Sequence, residues 1–164
     1  MGDLELRVLR TPHDANEPVA LVASSRSSGA RVGVLYDLGH VTPRLAAHFS
    51  DLDAFLLESN HDDEMLRNGP YPRVVQDRIA GPRGHLSNAD AGAVARLCVH
   101  RGLRHLVLCH LSENNNLPEV ALRSMRAALR GSGFRGTLQA APQGSTLSVS
   151  IGRVVREGQL SLAL

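Results

Sequence analysis

Three short apolar runs, separated by helical patterns, constrain most strongly how this chain folds. They read GVLY at 33–36, AFLL at 54–57 and LVLC at 106–109. Runs of this length are typical of buried strands. A helix over residues 42–49, with a Thr-Pro pair as N-cap and first turn, lies between the first two runs, and a helix capped by Ser87 or Asn88 precedes the third. This strand–helix–strand order predicts α/β layering, with helices on at least one face of a mixed sheet.

The rest of the sequence supplies further strands and helices. Residues 4–10 alternate between apolar and polar, which predicts a strand, and the runs VALVAS (19–24) and RVGVLY (31–36) predict a hairpin around a polar turn. The segments DDEMLRN and PRVVQDRIA, separated by the breaker GPYP, predict two short helices. A further helix is predicted at 118–129, and the tail from residue 136 is strand-like.

Composition limits the class of protein. A length of 164 residues and an apolar fraction of 43% fit one globular domain spanning residues 1–164. No apolar run approaches the length of a membrane-spanning helix, and the N-terminus lacks the basic and long apolar regions of a signal peptide. Cys98 and Cys109 lie inside apolar runs and are predicted to be buried hydrophobic residues rather than a disulfide pair. These features predict a cytoplasmic protein that does not bind a membrane.

Polar residues follow each of the three apolar runs. Asp37 follows the first run, Glu58 and His61 follow the second, and His110 follows the third. In open α/β sheets, ligands bind beyond the carboxyl ends of the strands. Carboxylates combined with several imidazoles are the ligand set of Zn, Mn or Fe in hydrolytic sites. The pattern therefore predicts a metal-dependent active site at this edge of the sheet.

Two further histidines lie in loops that could reach the same edge. His13 and Asp14 precede the predicted hairpin, and His85 stands just before a helix N-terminus, where free backbone N–H groups favour an anion. Each residue also has a simpler structural interpretation. Asp37 could form a turn, and His61 with the two acidic residues after it could cap a helix. Only the convergence of these residues on one edge favours a site.

Several segments, taken together and in this order, resemble a known family. They are PHDANEPV, YDLGHV, LLESNHDDEMLRNGPYP, RIAGPRGHLSN and CHLSENNNLPEVA, and the match runs from about His13 to Ala121. They resemble the metallo-β-lactamase fold hydrolases of the YycJ/WalJ type. The resemblance implies a four-layer αββα sandwich, usually with two metal ions, in a family similar to phosphodiesterases and nucleases such as the tRNA-processing enzymes. For this chain it implies mainly the C-terminal half of that sandwich, a mixed sheet with flanking helices.

The resemblance also implies roles for individual residues. His13, Asp37 and His110 match metal-ligating positions, with Asp37 as the carboxylate that bridges two ions, expected to be Zn or Mn in the complete protein. His85 matches a histidine that lies beside the scissile phosphate and can donate a proton or a hydrogen bond. The residues expected to line or support the site are Asp14, Glu58, His61 and Asn115.

Two arginines are candidates for binding the substrate. Arg73 and Arg83 lie in the segment between GPYP and GHLSN, where they could hold phosphates of a nucleic-acid substrate. The alternative interpretation is an ordinary solvated helix face.

One motif of the family has no counterpart in this sequence. The first metal motif, His-x-His-x-Asp-His, is absent, and no two histidines are separated by a single residue. The family pattern then leaves each ion about two protein ligands, whereas catalytic zinc sites normally have three. We therefore expect an N-terminally truncated domain with weak or partial metal binding.

The missing half also has a consequence for packing. In the complete fold two sheets pack face to face, so this chain is expected to expose an apolar sheet face. Either a homo-oligomer or a missing N-terminal segment is expected to cover that face.

Three hypotheses on function follow. The first is a metal-dependent phosphodiesterase or nuclease that acts on nucleic acid through a two-metal site, incomplete in this chain. The alternative is a non-catalytic truncated fragment or a self-associating remnant with weak metal binding. A hydrolase of thioesters or lactams, which would share the fold and differ in its pocket, is a third possibility.

Overall fold

The computed structural model describes residues 2–11, 18–141, 143–144 and 146–151. His13, Asp14 and residues 152–164 of the predicted strand-like tail lie outside the described residues. The described residues form six strands, five α-helices and one short 3-10 turn. In chain order these are β1 (Leu4–Arg10), β2 (Val19–Ser25), β3 (Arg31–Leu35), α1 (Pro43–Ala46), the 3-10 turn (Ala47–Phe49), β4 (Ala54–Glu58), α2 (Asp63–Asn68), α3 (Arg73–Ile79), α4 (Asn88–Cys98), β5 (His105–Cys109), α5 (Pro118–Ala128) and β6 (Thr137–Ala140).

The strands form one mixed sheet in chain order, from β1 at one edge to β6 at the other. The pairs β1–β2 and β2–β3 are antiparallel, and the three pairs from β3 to β6 are parallel. The predicted hairpin and the predicted strand–helix–strand units are therefore present. Because β3, β4 and β5 run in the same direction, their carboxyl ends meet at one edge of the sheet.

One face of the sheet forms the hydrophobic core. Leu35, Leu57 and Leu108 are paired across the three central strands, and each is 0% exposed. Residues of α1, α4 and α5 pack against this face in a single apolar cluster. Burial of this face fixes the register of the central strands, because a shift by one residue would expose the whole apolar set.

The opposite face is also apolar, but it is partly exposed. The register places Val8, Leu21, Val34 and Leu56 in one row across the first four strands. Val8 is 60% exposed and Leu6, on the same face of β1, is 62% exposed. The expectation of an apolar sheet face open to solvent thus agrees with the described structure.

Side-chain caps set the starts of three helices. The side chains of Thr42, Asp62 and Ser87 accept hydrogen bonds from backbone N–H groups at the starts of α1, α2 and α4. A cap satisfies a donor that has no partner within the helix. The predicted caps at Thr42 and Ser87 are confirmed. Among the described helices, none is long and apolar enough to cross a membrane.

Two element boundaries differ from the sequence prediction. The helix predicted to reach Phe49 is α-helical only to Ala46 and continues as a 3-10 turn, in which Phe49 is buried and stacks on Phe55 at a ring distance of 5.4 Å. Among the described residues of the tail, Thr137–Ala140 form β6 and 146–151 are not in a strand. Gly144 has a φ of 72°, a left-handed conformation that glycine adopts without strain.

Candidate metal centre

Two unusual backbone conformations lie at the carboxyl edge of the sheet. Asp37 follows β3 after one intervening residue and His110 follows β5 directly, and their φ angles are 56° and 55°. A non-glycine residue in this left-handed region is uncommon, and such strained residues cluster at functional sites. The carboxylate of Asp37 lies 3.4 Å from Nδ1 of His110. The two strained positions therefore bring two of the predicted site residues together.

Four side chains converge at this edge. One ligand atom from each of Asp37, Glu58, His85 and His110 lies within 4.8 Å of the other three. Glu58 Oε1 is 2.8 Å from Nδ1 of His85 and 2.8 Å from Nδ1 of His110. The two imidazole rings are 5.1 Å apart. We call these four residues the metal-site cluster.

Glu58 is the buried centre of the metal-site cluster. It is 0% exposed, and its second oxygen accepts a hydrogen bond from the backbone N–H of Leu38 at 3.1 Å. Burial raises the pKa of Glu58, but hydrogen bonds from His110 and His85 outweigh it, and the pKa is lowered below its usual value. Glu58 is therefore a carboxylate at neutral pH and can accept from both rings.

The hydrogen bond between Glu58 and His110 also shifts the pKa of His110. Its hydrogen bond to Glu58 raises the pKa of His110 above its usual value, against the opposing effect of burial. Because each ring directs Nδ1 to Glu58, each turns its Nε2 away from that carboxylate. A carboxylate that orients an imidazole in this way is typical of histidines that bind metal. Two carboxylates and two imidazoles fit the donor preferences of zinc or manganese.

A buried amide network fixes the loops that carry the cluster. Asn116 Nδ2 donates to the backbone carbonyls of Ser59 at 2.8 Å and of Asn60 at 3.1 Å. Asn60 Nδ2 donates to the carbonyl of His110 at 2.9 Å, and Ser59 Oγ donates to Asn88 Oδ1 at 2.6 Å. The network joins the loop after β4, the start of α4 and the loop after β5. Satisfied buried networks of this kind rigidify a structure.

His61 and Asn115, which were predicted to line the site, are both buried but differ in their hydrogen bonds. His61 is 1% exposed, burial lowers its pKa, and its Nδ1 has no hydrogen-bond partner among the described residues. Asp62, rather than His61, caps α2. Asn115 is fully buried, and its side chain donates to Ser112 while its carbonyl accepts from the N–H of Asp62. Asn115 therefore supports the loop after β5 rather than contacting His110 directly.

The two candidate phosphate-binding arginines lie on the surface. The Arg73 side chain is 72% exposed and its Nε is 3.8 Å from Asp77 on the same helix. Arg83 is exposed in the loop before α4. Neither residue lines the pocket beside the cluster.

A small pocket of about 250 Å³ lies beside the metal-site cluster. His85 and His110 form part of its wall, and Tyr71 and Asn114 form another part. The second tyrosine, Tyr36, lies with its ring 6.0 Å from that of His110. Sequence analysis did not identify these tyrosines as site residues, although the two prolines that flank Tyr71 in GPYP indicate a restricted backbone at this position.

Glycines allow the loops around the cluster to approach closely. A Cβ atom at Gly39 would lie 2.4 Å from the carbonyl carbon of Pro82, and one at Gly84 would lie 2.1 Å from the carbonyl oxygen of Ile79. The loop after Asp37 and the loop before His85 therefore leave no room for a side chain at either position. Close backbone approach is a common reason for glycine near a ligand site.

Comparisons with known proteins agree with these features. No family model matches the chain. It is 35% identical over 133 residues to Exodeoxyribonuclease YycJ of Bacillus anthracis, across 81% of this chain and 50% of that protein. It is 33% identical over 124 residues to Exodeoxyribonuclease WalJ of Streptococcus pneumoniae, across 76% of this chain and 45% of that protein. The chain is of the YycJ/WalJ type.

Solved structures place this YycJ/WalJ-type chain in the metallo-β-lactamase fold. The metallo-β-lactamase fold protein YhfI of Bacillus subtilis superposes with a TM-score of 0.57 at 16% identity, over 86% of this chain and 48% of that one. Zn²⁺-bound PqqB of Methylobacterium extorquens gives a TM-score of 0.55 at 20% identity, over 90% of this chain and 51% of that one. The predicted α/β fold of the metallo-β-lactamase type is confirmed. The YycJ/WalJ-type chain spans about half the length of the curated relatives it matches.

Proposed function

We propose that this chain carries part of the active site of a divalent-metal-dependent phosphodiester hydrolase that acts on nucleic acid. The observation that carries the proposal is the convergence of Asp37, Glu58, His85 and His110 within 4.8 Å at the carboxyl edge of a parallel sheet. The names of the relatives, both exodeoxyribonucleases, support DNA as the substrate.

Asp37 and His110 are the proposed metal ligands of the described structure, and His13 is the proposed third. Divalent ions held by these residues would polarise a phosphoryl oxygen as Lewis acids and would neutralise its negative charge. The hydrogen bond to Glu58 holds the His110 ring at the edge of the sheet before any ion binds. Zinc and manganese both suit this donor set.

His85 is proposed to donate a proton to the leaving oxygen, and Glu58 is proposed to orient His85 for this role. Glu58 accepts a hydrogen bond from Nδ1 of His85 at 2.8 Å. This contact orients the ring so that its Nε2 faces away from the carboxylate. In its imidazolium form, a histidine held in this way directs Nδ1–H to Glu58 and carries a second proton on Nε2. It can donate the Nε2 proton or a hydrogen bond to the oxygen that leaves the phosphorus, and it becomes neutral when the proton is transferred. Glu58 then supports His85 and His110 without itself contacting the substrate.

A second candidate function has a specific observation in its favour. The apolar row of Val8, Leu21, Val34 and Leu56 is partly exposed, as expected for a self-associating, non-catalytic remnant with weak metal binding. The two proposals differ in whether metal binding and hydrolytic activity depend on the metal-site cluster.

The test is metal-dependent release of nucleotides from end-labelled DNA by the purified protein. Because this chain carries only part of the site, we expect weak hydrolysis with Zn²⁺ or Mn²⁺, which chelation stops and His110→Ala abolishes. His105→Ala is the matched control, because His105 lies at the opposite end of β5 and contacts Thr137 rather than the cluster. Full activity of His110→Ala would refute the ligand assignment, and no activity of the unaltered chain with either ion would favour the non-catalytic alternative.

A further inference from the structure

The chain concentrates its tyrosines at the metal-site cluster. It has two tyrosines, three phenylalanines and no tryptophan. Tyr36 lies against the ring of His110, and Tyr71 shares the pocket that His85 and His110 line. In contrast, Phe49 and Phe55 stack on each other within the core. In a chain with so few aromatic residues, two at one polar site require an explanation other than core packing.

Tyr71 is held rigidly although it is only half-buried. Its two chain neighbours are Pro70 and Pro72, which restrict its backbone to an extended conformation. Its carbonyl accepts a hydrogen bond from Gln76 Nε2 at 2.9 Å, and its hydroxyl accepts one from Asn114 Nδ2 at 2.8 Å. Both ends of the residue are therefore fixed by other elements, and the ring needs little further ordering to bind a ligand.

The chemistry of the pocket suits the uncharged part of a nucleotide. Amide and hydroxyl side chains, such as those of Asn114 and Ser112, and the apolar side chain of Ile79 line it, and no arginine does. The one acidic residue of the lining, Glu113, disfavours a phosphate. Its volume of about 250 Å³ lies below the range of roughly 300–1,000 Å³ typical of drug-sized ligands. The pocket therefore fits one base with its sugar rather than several nucleotides.

We propose that Tyr71 is a substrate-binding residue whose ring stacks on the base of one unpaired DNA nucleotide at a strand end, while the phosphodiester of that nucleotide lies at the metal-site cluster. Aromatic side chains bind single strands in this way and tolerate any base, since every base has a π-face. A base inside a duplex has both faces covered, so this mode selects an unpaired end. The inference rests on the proposed function and adds to it the recognition of a single-stranded terminus.

The absence of tryptophan makes the test direct. In a Tyr36→Phe background, Tyr71 is the only remaining tyrosine and the main source of intrinsic fluorescence. The probe is a short, hydrolysis-resistant phosphorothioate oligothymidylate with a fluorescein label, and its binding is measured by anisotropy. We expect the emission of Tyr71 to be quenched in step with binding. Emission that does not change at saturation would overturn the inference, and this result does not depend on any substitution of Tyr71.

Substitutions of Tyr71 provide the second measurement. Tyr71→Ala is expected to weaken oligonucleotide binding about fivefold to a hundredfold, the range that loss of one base–aromatic stack produces. Tyr71→Phe keeps the ring and is expected to bind within about twofold of the unaltered protein. Equal affinity of the alanine variant would overturn the stacking role while leaving the proposed hydrolase intact. An oligonucleotide that binds none of these proteins would overturn the nucleic-acid function itself, and this inference with it.

Discussion

At the scale of single residues, Glu58 orients the two histidines of the cluster and shifts the pKa of His110. Its pKa is lowered and that of His110 is raised by their mutual hydrogen bond. The lowered pKa of Glu58 contributes stability above its usual value of 4.5, and this is lost as pH falls through the folded value. The raised pKa of His110 contributes stability below its usual value of 6.5, and this is lost as pH rises through the folded value.

These two shifts predict a pH-dependent effect of Glu58→Gln in the metal-free protein. The ionised carboxylate and protonated imidazole coexist at about pH 5.5, where losing their charge-assisted hydrogen bond should cost about 1.5–3 kcal/mol in free energy of unfolding. At a pH above the raised pKa of His110 the cost should be smaller, because His110 has lost its extra proton. Urea unfolding at both pH values measures the difference. A cost that is the same at both would contradict the coupling between Glu58 and His110.

A control for this experiment is Asp77→Asn. Asp77 pairs with Arg67 at 2.6 Å, but the Asp77 side chain is 57% exposed. Exposed ion pairs contribute about 0–1 kcal/mol, so this variant should lose little stability at either pH.

At the scale of elements, the contact between the loop after β3 and the loop before α4 positions the cluster. Gly39→Ala would place a methyl group 2.4 Å from the backbone of Pro82 and so force the two loops apart. We expect a loss of about 1–3 kcal/mol in free energy of unfolding, as for other overpacked sites. Divalent-metal affinity should fall as well, because Asp37 and His85 lie on the two displaced loops. Thermal unfolding and metal titration measure the two effects.

Gly2→Ala is the matched control, since a Cβ atom there would meet nothing within 4 Å. It should leave both the unfolding temperature and the metal affinity unchanged. If Gly39→Ala behaves like this control, the close contact of the two loops does not position the cluster.

At the scale of the whole molecule, the apolar sheet face predicts self-association of the 164-residue chain. Leu6 and Val8 are more than half exposed on this face of β1. The double variant Leu6→Glu/Val8→Glu should shift the chain toward monomer in analytical ultracentrifugation and reduce binding of a hydrophobic dye, because it adds charge to the face. Leu97→Glu is the control, since Leu97 is 67% exposed but lies on α4 in the helical layer. A monomeric unaltered chain would contradict the prediction.

Most of the fold was predictable from sequence because periodicity and capping act locally. Alternation in β1, the apolar run of β4 and the Ser87 cap each depend on a few adjacent residues. The 3-10 turn that ends at Phe49 was not predictable, since it depends on a contact with Phe55 in another element. Residues 146–151 were predicted to be strand-like but are not in a strand, because strand propensity alone does not reveal which residues find a partner strand.

The site could be predicted in part. The strand-end rule identified Asp37, Glu58 and His110, because parallel strands bring their carboxyl ends together. The equal 2.8 Å contacts of Glu58 with both imidazoles depend on side-chain orientation, which sequence spacing does not give. The network of Asn60, Asn88 and Asn116 and the position of Tyr71 also depend on loops that meet only in three dimensions.

The most direct test of the central claim is calorimetric titration of the metal-free protein with Zn²⁺ and with Mn²⁺. If the metal-site cluster binds divalent metal, the unaltered chain and His105→Ala should both show saturable binding. Asp37→Asn and His110→Ala should each bind at least about tenfold more weakly, since loss even of a residue that only orients a ligand typically costs 10- to 100-fold in affinity. Equal affinity in all four proteins, or no saturable binding in the unaltered chain, would contradict the claim that Asp37 and His110 bind divalent metal at the metal-site cluster.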